Sequence, residues 1–201
     1  MRVRRVVGVV GVLLGMGLAA GPASAYSVSY DQKITDGNDA YAGKVSMKDG
    51  LFRMEMQMDG QETIILKNAD GMFTVMPSEG MAMKTPHLRP GQGPVQGAED
   101  YAGYLAGMHA EKTGTETIDG HPCDIYRYID PQTGGHETVW VWTEKMFPIR
   151  IESENTNGTT LTELSNIQIG AALPDSTFQL PDGVQVMDMG ALMGMGRPQQ
   201  Q

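Results

Sequence analysis

The chain of 201 residues has a single cysteine, Cys123, few aromatic residues, and fewer basic than acidic side chains. One cysteine cannot form an internal disulfide, so a hydrophobic core has to stabilise the fold. Because 15 Lys and Arg stand against 24 Asp and Glu, the formal net charge is −9, which repels nucleic acid and anionic lipid headgroups alike. Cys123 follows a proline at the start of a strand-like pattern, which predicts a small buried core residue rather than a reactive thiol.

Long apolar runs are missing after the first 25 residues. Those residues combine Arg2, Arg4 and Arg5 with an apolar stretch over 6–20 and the small-residue site Ala23-Ser24-Ala25, which is the pattern of a cleavable signal peptide. We therefore expect export to the periplasm, or secretion where there is no outer membrane, as a monomer that is not embedded in a membrane. Loss of the three arginines takes the net charge from −9 to −12.

Motifs of the common catalytic and metal sites are also missing from the sequence. The histidines are scattered, and the chain contains no H-E-x-x-H, G-x-S-x-G, C-x-x-C or glycine-rich phosphate loop. Carboxylates on the polar side of a strand usually serve solvation. The sequence therefore predicts a protein that is not an enzyme and has no cofactor.

Turn dipeptides recur at short intervals and separate segments in which apolar residues alternate with polar ones. Asp-Gly, Gly-Gly and Asn-Gly between such segments are strong hairpin signals. They predict an antiparallel β-meander of roughly ten strands. The predicted strands with defined bounds cover 44–48, 51–58, 62–67, 72–76, 81–84, 124–129, 138–143, 148–156 and 159–169.

The middle and the end of the chain differ from this pattern. Residues 86–97 hold three prolines and three glycines, which predicts a loop, and residues 98–108 carry apolar side chains at helical spacing. Residues 187–201, rich in Met, Gly and Gln, are expected to form a flexible tail. The predicted domain therefore spans 26–186.

The two faces of the predicted strand 51–58 differ in polarity. Phe52 and three methionines share one face, whereas Arg53, Glu55 and Gln57 share the other. One short helix cannot cover the apolar side of so wide a meander, so either the sheet closes on itself or a cavity remains. Trp140 and Trp142 alternate with valines and predict a strand buried on both faces.

Four phrases of the second half resemble a known family. They are G-T-E-T-I-D-G-H-P-C-D-I-Y at 114–126, E-T-V-W-V-W at 137–142, F-P-I-R-I-E at 147–152 and L-P-D-S-T-F-Q-L-P at 173–181. In this order they are similar to the outer-membrane lipoprotein carrier (LolA and LolB) superfamily, and most of all to a branch of it known only as a domain of unknown function. The resemblance implies a mainly β fold, an antiparallel meander curled into an incomplete half-barrel, with one or few short helices as a lid over an apolar cavity for acyl chains.

The resemblance and the apolar strand face together predict a carrier that sequesters the acyl chain of a lipid or lipoprotein. Burial of a hydrocarbon tail contributes about 0.8 kcal/mol per CH₂, and flexible methionines suit a cavity that must repack when empty. The same residues could instead be ordinary core. The predicted lining consists of Met54, Met56, Met58, Ile64, Leu66, Met81 and Met83, and the predicted lid of Tyr101, Leu105 and Met108.

Two alternatives remain open from the sequence. Methionine thioethers are soft ligands that select Cu(I), and the tail pairs Met187 with Met189 and Met193 with Met195 lie outside any strand pattern. This favours a periplasmic copper-binding protein as a second hypothesis. A sensor or adaptor of envelope stress that binds a protein partner is the third.

Overall fold

A computed structural model describes residues 26–37, 39–58, 60–85, 100–131, 133–156 and 158–188, without the side chains of Met58 and Thr85. The predicted signal peptide, the loop 86–97 and the tail beyond Asp188 lie outside these residues. The strands are β1 Ser27–Asp36, β2 Asp39–Lys48, β3 Leu51–Met58, β4 Gln61–Asn68, β5 Gly71–Met76, β6 Met81–Thr85, β7 Glu111–Ile118, β8 His121–Ile129, β9 His136–Trp142, β10 Phe147–Asn155, β11 Gly158–Ile169 and β12 Gln185–Asp188. One helix, α1, spans Tyr101–Gly107, and 3-10 turns span Pro77–Glu79 and Asp175–Phe178.

The described strands form one sheet in the order β12-β6-β5-β4-β3-β2-β1-β11-β10-β9-β8-β7. Neighbouring strands are antiparallel except β12, which runs parallel to β6. The two edge strands, β7 and β12, do not pair with each other, so the sheet does not close. The predicted meander and incomplete barrel are therefore confirmed.

Every strand predicted from the sequence is present, and three further strands were not predicted. In β1 the alternation of Val28, Tyr30 and Ile34 is interrupted by Gln32, and β7 consists mostly of exposed polar residues. The third, β12, is short and exposed, and it includes Met187 and Asp188, so the predicted tail contributes its first two residues to the sheet.

The helix was predicted over 98–108 and is observed over Tyr101–Gly107. Its N-cap is Asp100, whose carboxylate accepts a hydrogen bond of 2.9 Å from the backbone N–H of Gly103. Such a cap satisfies a backbone donor that the first turn leaves free, which fixes where the helix begins. Ala98 and Glu99 lie outside the described residues.

The sheet has two faces, which we call the helix side and the strap side. On the helix side, Val139 and Val141 pack under α1. On the strap side, Ile64 and Leu66 pack under the segment 173–184, which we call the strap. Because directly paired residues share a face, strand register assigns residues to one side wherever the pairing is regular. The β1–β11, β9–β10 and β7–β8 pairs each contain one register shift, where this rule does not apply.

Buried residues form two clusters on the helix side and one on the strap side. One helix-side cluster contains Val28, Tyr30, Val45, Met47, Phe52, Phe147 and Leu164. The other joins Tyr101 and Leu105 of α1 to Val139 and Val141. On the strap side, Ile64, Leu66, Phe73, Val75 and Ala82 surround Phe178 of the strap, which is 2 % exposed.

Two details differ from the sequence predictions. Arg53 and Glu55, expected on an open polar face, lie beside the strap, and a guanidinium nitrogen of Arg53 donates to the carbonyl oxygen of Thr177 at 3.4 Å. Trp140 and Trp142 are only half-buried, because Val139 and Val141 take the buried side of β9. The indole N–H of Trp140 donates to Glu116 at 2.6 Å. The prediction of a buried Cys123 is confirmed, since this residue is 1 % exposed.

Candidate functional site

Methionines collect on the helix side of the strands at one end of the sheet. Register places Met54 opposite Ile65, Ile65 opposite Thr74, and Thr74 opposite Met83. Met76 is opposite Met81, and Met83 is opposite Met187 across the parallel β6–β12 pair. We call this surface the methionine face; its members are Met54, Met56, Met72, Met76, Met81, Met83 and Met187.

Strands β5 and β6 carry apolar side chains on both faces, but the two faces are covered differently. The strap buries the Ile64, Phe73 and Val75 side almost completely. On the other side, Met54 and Ile65 pack against the neighbouring core, whereas Met76, Met81 and Met83 belong to none of the buried clusters formed by the described residues. Their side chains are partly exposed. The methionine face is thus an apolar surface that the described part of the chain covers only in part.

The structure separates Ile64 and Leu66 from the predicted methionine lining. Both residues are on the strap side, with exposures of 2 % and 0 %. They therefore cannot line the same surface as Met54 or Met83. The sequence contained the signal for this: a two-residue turn predicted at Asp59-Gly60 would pair Met58 with Gln61, and counting back pairs Met54 with Ile65, as the structure has it.

The predicted lid lies on the same side of the sheet as the methionines but over different strands. Tyr101 and Leu105 are buried against Val139 and Val141 of β9, together with residues of β8 and β10. Met108, the C-cap of α1, is partly buried. Among the described residues, α1 therefore covers the β8–β10 half of the helix side. The methionine face lies on the other half, which α1 does not cover.

A polar cluster that the sequence did not predict lies beside α1. The hydroxyls of Tyr104 and Tyr128 share a hydrogen bond of 3.3 Å, and the Ser153 hydroxyl donates to the Glu137 carboxylate at 2.7 Å. Burial raises the pKa of Glu137, and the nearby Asp130 charge adds to this rise, while the Ser153 bond opposes it. Burial also raises the pKa values of Tyr101 and Tyr128, so these hydroxyls stay protonated.

Two grooves lie on the described surface. One, of about 500 Å³, lies between the Asp119–His121 turn and residues 164–168 of β11. The other, of about 490 Å³, lies between Arg53, Glu55 and the strap. Neither was predicted. The first has a mixed lining that includes Ile149, Leu164 and Ile167, whereas the second is mainly polar, which does not suit a hydrocarbon tail. No three His, Cys, Asp or Glu side chains of the described residues cluster as metal ligands.

Within the part of the chain that the structure describes, no helix has the length and apolar character needed to span a bilayer.

Solved structures share the fold at low sequence identity. The chain is similar to MucB in the Pseudomonas aeruginosa MucA/MucB complex, with a TM-score of 0.53, 14% identity, and coverage of 81% of this chain and 58% of that one. It is similar to MucB solved by itself, with a TM-score of 0.50, 13% identity, and coverage of 80% and 59%. A LolA superfamily protein from Nitrosomonas europaea gives a TM-score of 0.36, 14% identity, and coverage of 80% and 92%. The chain thus spans less than two thirds of the MucB chains it matches.

Comparison with curated proteins finds no match to this chain. A family model does match residues 31–146, more than half of the chain, and its description is Domain of unknown function (DUF4412). The sequence resemblance to a domain family of unknown function is confirmed by this match. The matched residues begin in β1 and end at the β9–β10 turn, so they include the methionine strands β3 to β6 and helix α1. This chain belongs to the DUF4412 family.

Proposed function

We propose that this protein is an exported binding protein of the cell envelope that holds an apolar ligand, the acyl chain of a lipid or lipoprotein, against its methionine face. The observation that carries this proposal is the unequal covering of the two faces of β5 and β6. A sheet in water normally buries an apolar face or makes it polar. Here one apolar face is buried under the strap, and the other remains partly exposed.

The composition of the methionine face suits an acyl chain. Met side chains are unbranched and have three rotatable bonds, so they can repack around ligands of different length. The face adjoins a buried cluster through Met54 and Ile65, so a hydrocarbon tail bound there would contact well-packed apolar side chains. Each buried CH₂ contributes about 0.8 kcal/mol, so a contact along several carbons is enough for stable binding.

The charge of the chain favours a carrier in solution over a protein attached to a membrane. The net charge of −12 expected after cleavage repels anionic headgroups, so a loaded protein stays in solution until it meets its acceptor. The N-terminal pattern supports export, and N-terminal sequencing of the purified protein tests it. Cleavage after Ala25 is the expected result, and an intact Met1 in the envelope fraction would contradict it.

Titration with a fatty acid that carries an environment-sensitive fluorophore tests the ligand. We expect saturable binding to the wild type, and weaker binding to the double variant Met81→Gln/Met83→Gln, which keeps side-chain length but removes apolar character. A loss of about 1.4 kcal/mol of apolar contact corresponds to about tenfold weaker binding. Met146→Gln is the matched control, because Met146 lies in an exposed turn outside the methionine face.

Equal probe binding by the wild type and the double variant would remove the methionine face from the proposal. Absence of probe binding by the wild type would contradict the proposal that this protein binds an acyl chain. Native mass spectrometry of the gently purified protein supplies an independent check, since a co-purified lipid is the expected additional mass.

A second candidate function is supported by the fold comparison. MucB was solved in complex with MucA. An envelope adaptor that binds a protein partner is therefore the alternative to a lipid carrier. A specific protein recovered after crosslinking in cells, in a preparation that holds no lipid, would favour the adaptor.

A further inference from the structure

Four methionines occupy neighbouring strands at the β5–β6–β12 corner of the sheet. Met76 and Met81 are a directly paired couple on neighbouring antiparallel strands, and Met83 and Met187 are a paired couple on neighbouring parallel strands. Met81 and Met83 are two residues apart on one strand, so they point to the same face. The register thus places Met76 beside Met81 and Met187 beside Met83, all on the helix side.

The spacing of this group lets several sulfur atoms meet at one point. Cβ atoms of directly paired residues are about 4.5–5.5 Å apart, and adjacent strands are about 4.8 Å apart. A methionine side chain has three rotatable bonds, so the sulfurs of Met81 and Met83, together with that of Met76 or Met187, can turn toward a common centre. None of Met76, Met81 and Met83 is locked in the buried clusters of the described residues, and Met187 is 39 % exposed.

The geometry points to a soft-metal site at Met76, Met81, Met83 and Met187, which takes a monovalent ion of the Cu(I) class through thioether sulfur. Thioethers select Cu(I) over harder ions, because soft ligands prefer soft metals. The side chains paired with this group on the same face are Thr74 and Gln185, which are uncharged. Glu79 lies in the adjoining turn, and the acidic chain as a whole attracts cations.

This assignment differs from the copper hypothesis that the sequence suggested. That hypothesis used Met187, Met189, Met193 and Met195 of the tail, of which only Met187 lies among the described residues. Strand β12 runs parallel to β6 and brings Met187 beside Met83. The site is therefore built mainly from strand residues, and its dependence on individual methionines can be tested without removing the tail.

Silver(I), which is redox-stable and of the same soft class, is the probe for the experiment. The protein is purified after expression of the full chain, in a Cys123→Ala background, because a thiol is the other soft ligand present. Methionine methyl groups labelled with ¹³C are followed by NMR while silver(I) nitrate is added. Saturation at one equivalent with shifts of the Met76, Met81, Met83 and Met187 methyl signals is the expected result. Anaerobic titration with Cu(I) then repeats the measurement with the biological ion.

The double variant Met81→Leu/Met83→Leu separates the metal site from the acyl-chain site. Leucine keeps the apolar surface and removes the thioethers, so we expect loss of silver binding and retention of fatty-acid probe binding. Met146→Leu is the matched control and should keep both silver binding and fatty-acid probe binding. Unchanged silver binding by the double variant, or methyl shifts confined to Met189, Met193 and Met195, would overturn the assignment. Circular dichroism of each variant confirms that the sheet is intact.

Discussion

The side-chain amide of Asn68 donates a hydrogen bond of 3.2 Å to the backbone carbonyl of Phe178, where the strap crosses the end of β4. The bond holds the strap at Phe178, whose ring packs into the apolar cluster on the strap side. Lys48 holds the strap three residues earlier, through an ion pair of 2.7 Å with Asp175. A segment distant in sequence therefore closes one face of the sheet, while the methionine face on the other side stays partly open.

Truncation of the strap anchor is expected to destabilise the fold. Phe178→Ala removes a ring that is buried among Leu66, Phe73 and Val75, and such a deletion costs about 3–5 kcal/mol. Urea unfolding followed by tryptophan fluorescence measures the change. Gln179→Ala, at the exposed neighbouring position, should leave the free energy of unfolding nearly unchanged. Equal stability of the two variants would mean that the strap does not contribute to the core.

A side chain at Gly43 should disrupt the pairing of β2 with β3. An added Cβ there would lie 2.6 Å from the carbonyl oxygen of Glu55, which belongs to the backbone and cannot rotate away. We expect Gly43→Ala to lower the free energy of unfolding by about 1–3 kcal/mol, the usual cost of overpacking. Gly107→Ala is the control, because a Cβ at this helical position meets no atom within 4 Å. Alanine there should be neutral or stabilising, since it favours the helix.

The raised pKa of Glu137 predicts how stability changes with pH. Burial makes the ionised carboxylate less favourable in the folded state, so the folded pKa lies above the ordinary value of 4.5. The contribution of Glu137 to stability is therefore fully present below pH 4.5 and is lost as pH rises through the folded pKa. Groups near the carboxylate include Asp130, Tyr128, Tyr101 and the Ser153 hydroxyl.

Chemical denaturation at a series of pH values measures this effect. Glu137→Gln should flatten the decline in stability above pH 4.5. The free energy of unfolding of the wild type minus that of Glu137→Gln should fall as pH rises above 4.5. A difference that rises with pH would contradict the prediction.

Cys123 should react slowly in the folded protein. The residue is 1 % exposed, its thiol donates a hydrogen bond of 3.3 Å to the His121 carbonyl, and burial raises the pKa of the thiol. Because the thiolate is the reactive species, both access and ionisation oppose attack. A thiol-reactive chromophore should label the native protein far more slowly than the protein in concentrated urea. Equal rates in the two states would show that Cys123 is accessible.

Much of the fold could be predicted from the sequence because its signals are local. Turn dipeptides such as Asp49-Gly50 define the ends of strands, and alternation in Phe52, Met54 and Met56 identifies a common face. The methionine part of the candidate site followed from the same alternation. Ile64 and Leu66 were assigned to it wrongly, because membership of a face depends on register with the neighbouring strand, and their apolar character alone does not report it.

The sequence by itself determined the meander, the short helix and the buried cysteine, since each depends on neighbouring residues and their preferences. Only the tertiary structure decided which of two apolar faces the strap covers, and that β12 returns parallel to β6 and brings Met187 beside Met83. The physical reason is that period-2 alternation marks two faces without saying what will pack on either. That choice depends on segments far apart in the chain, such as Phe178 against Leu66, which meet only when the whole sheet has formed.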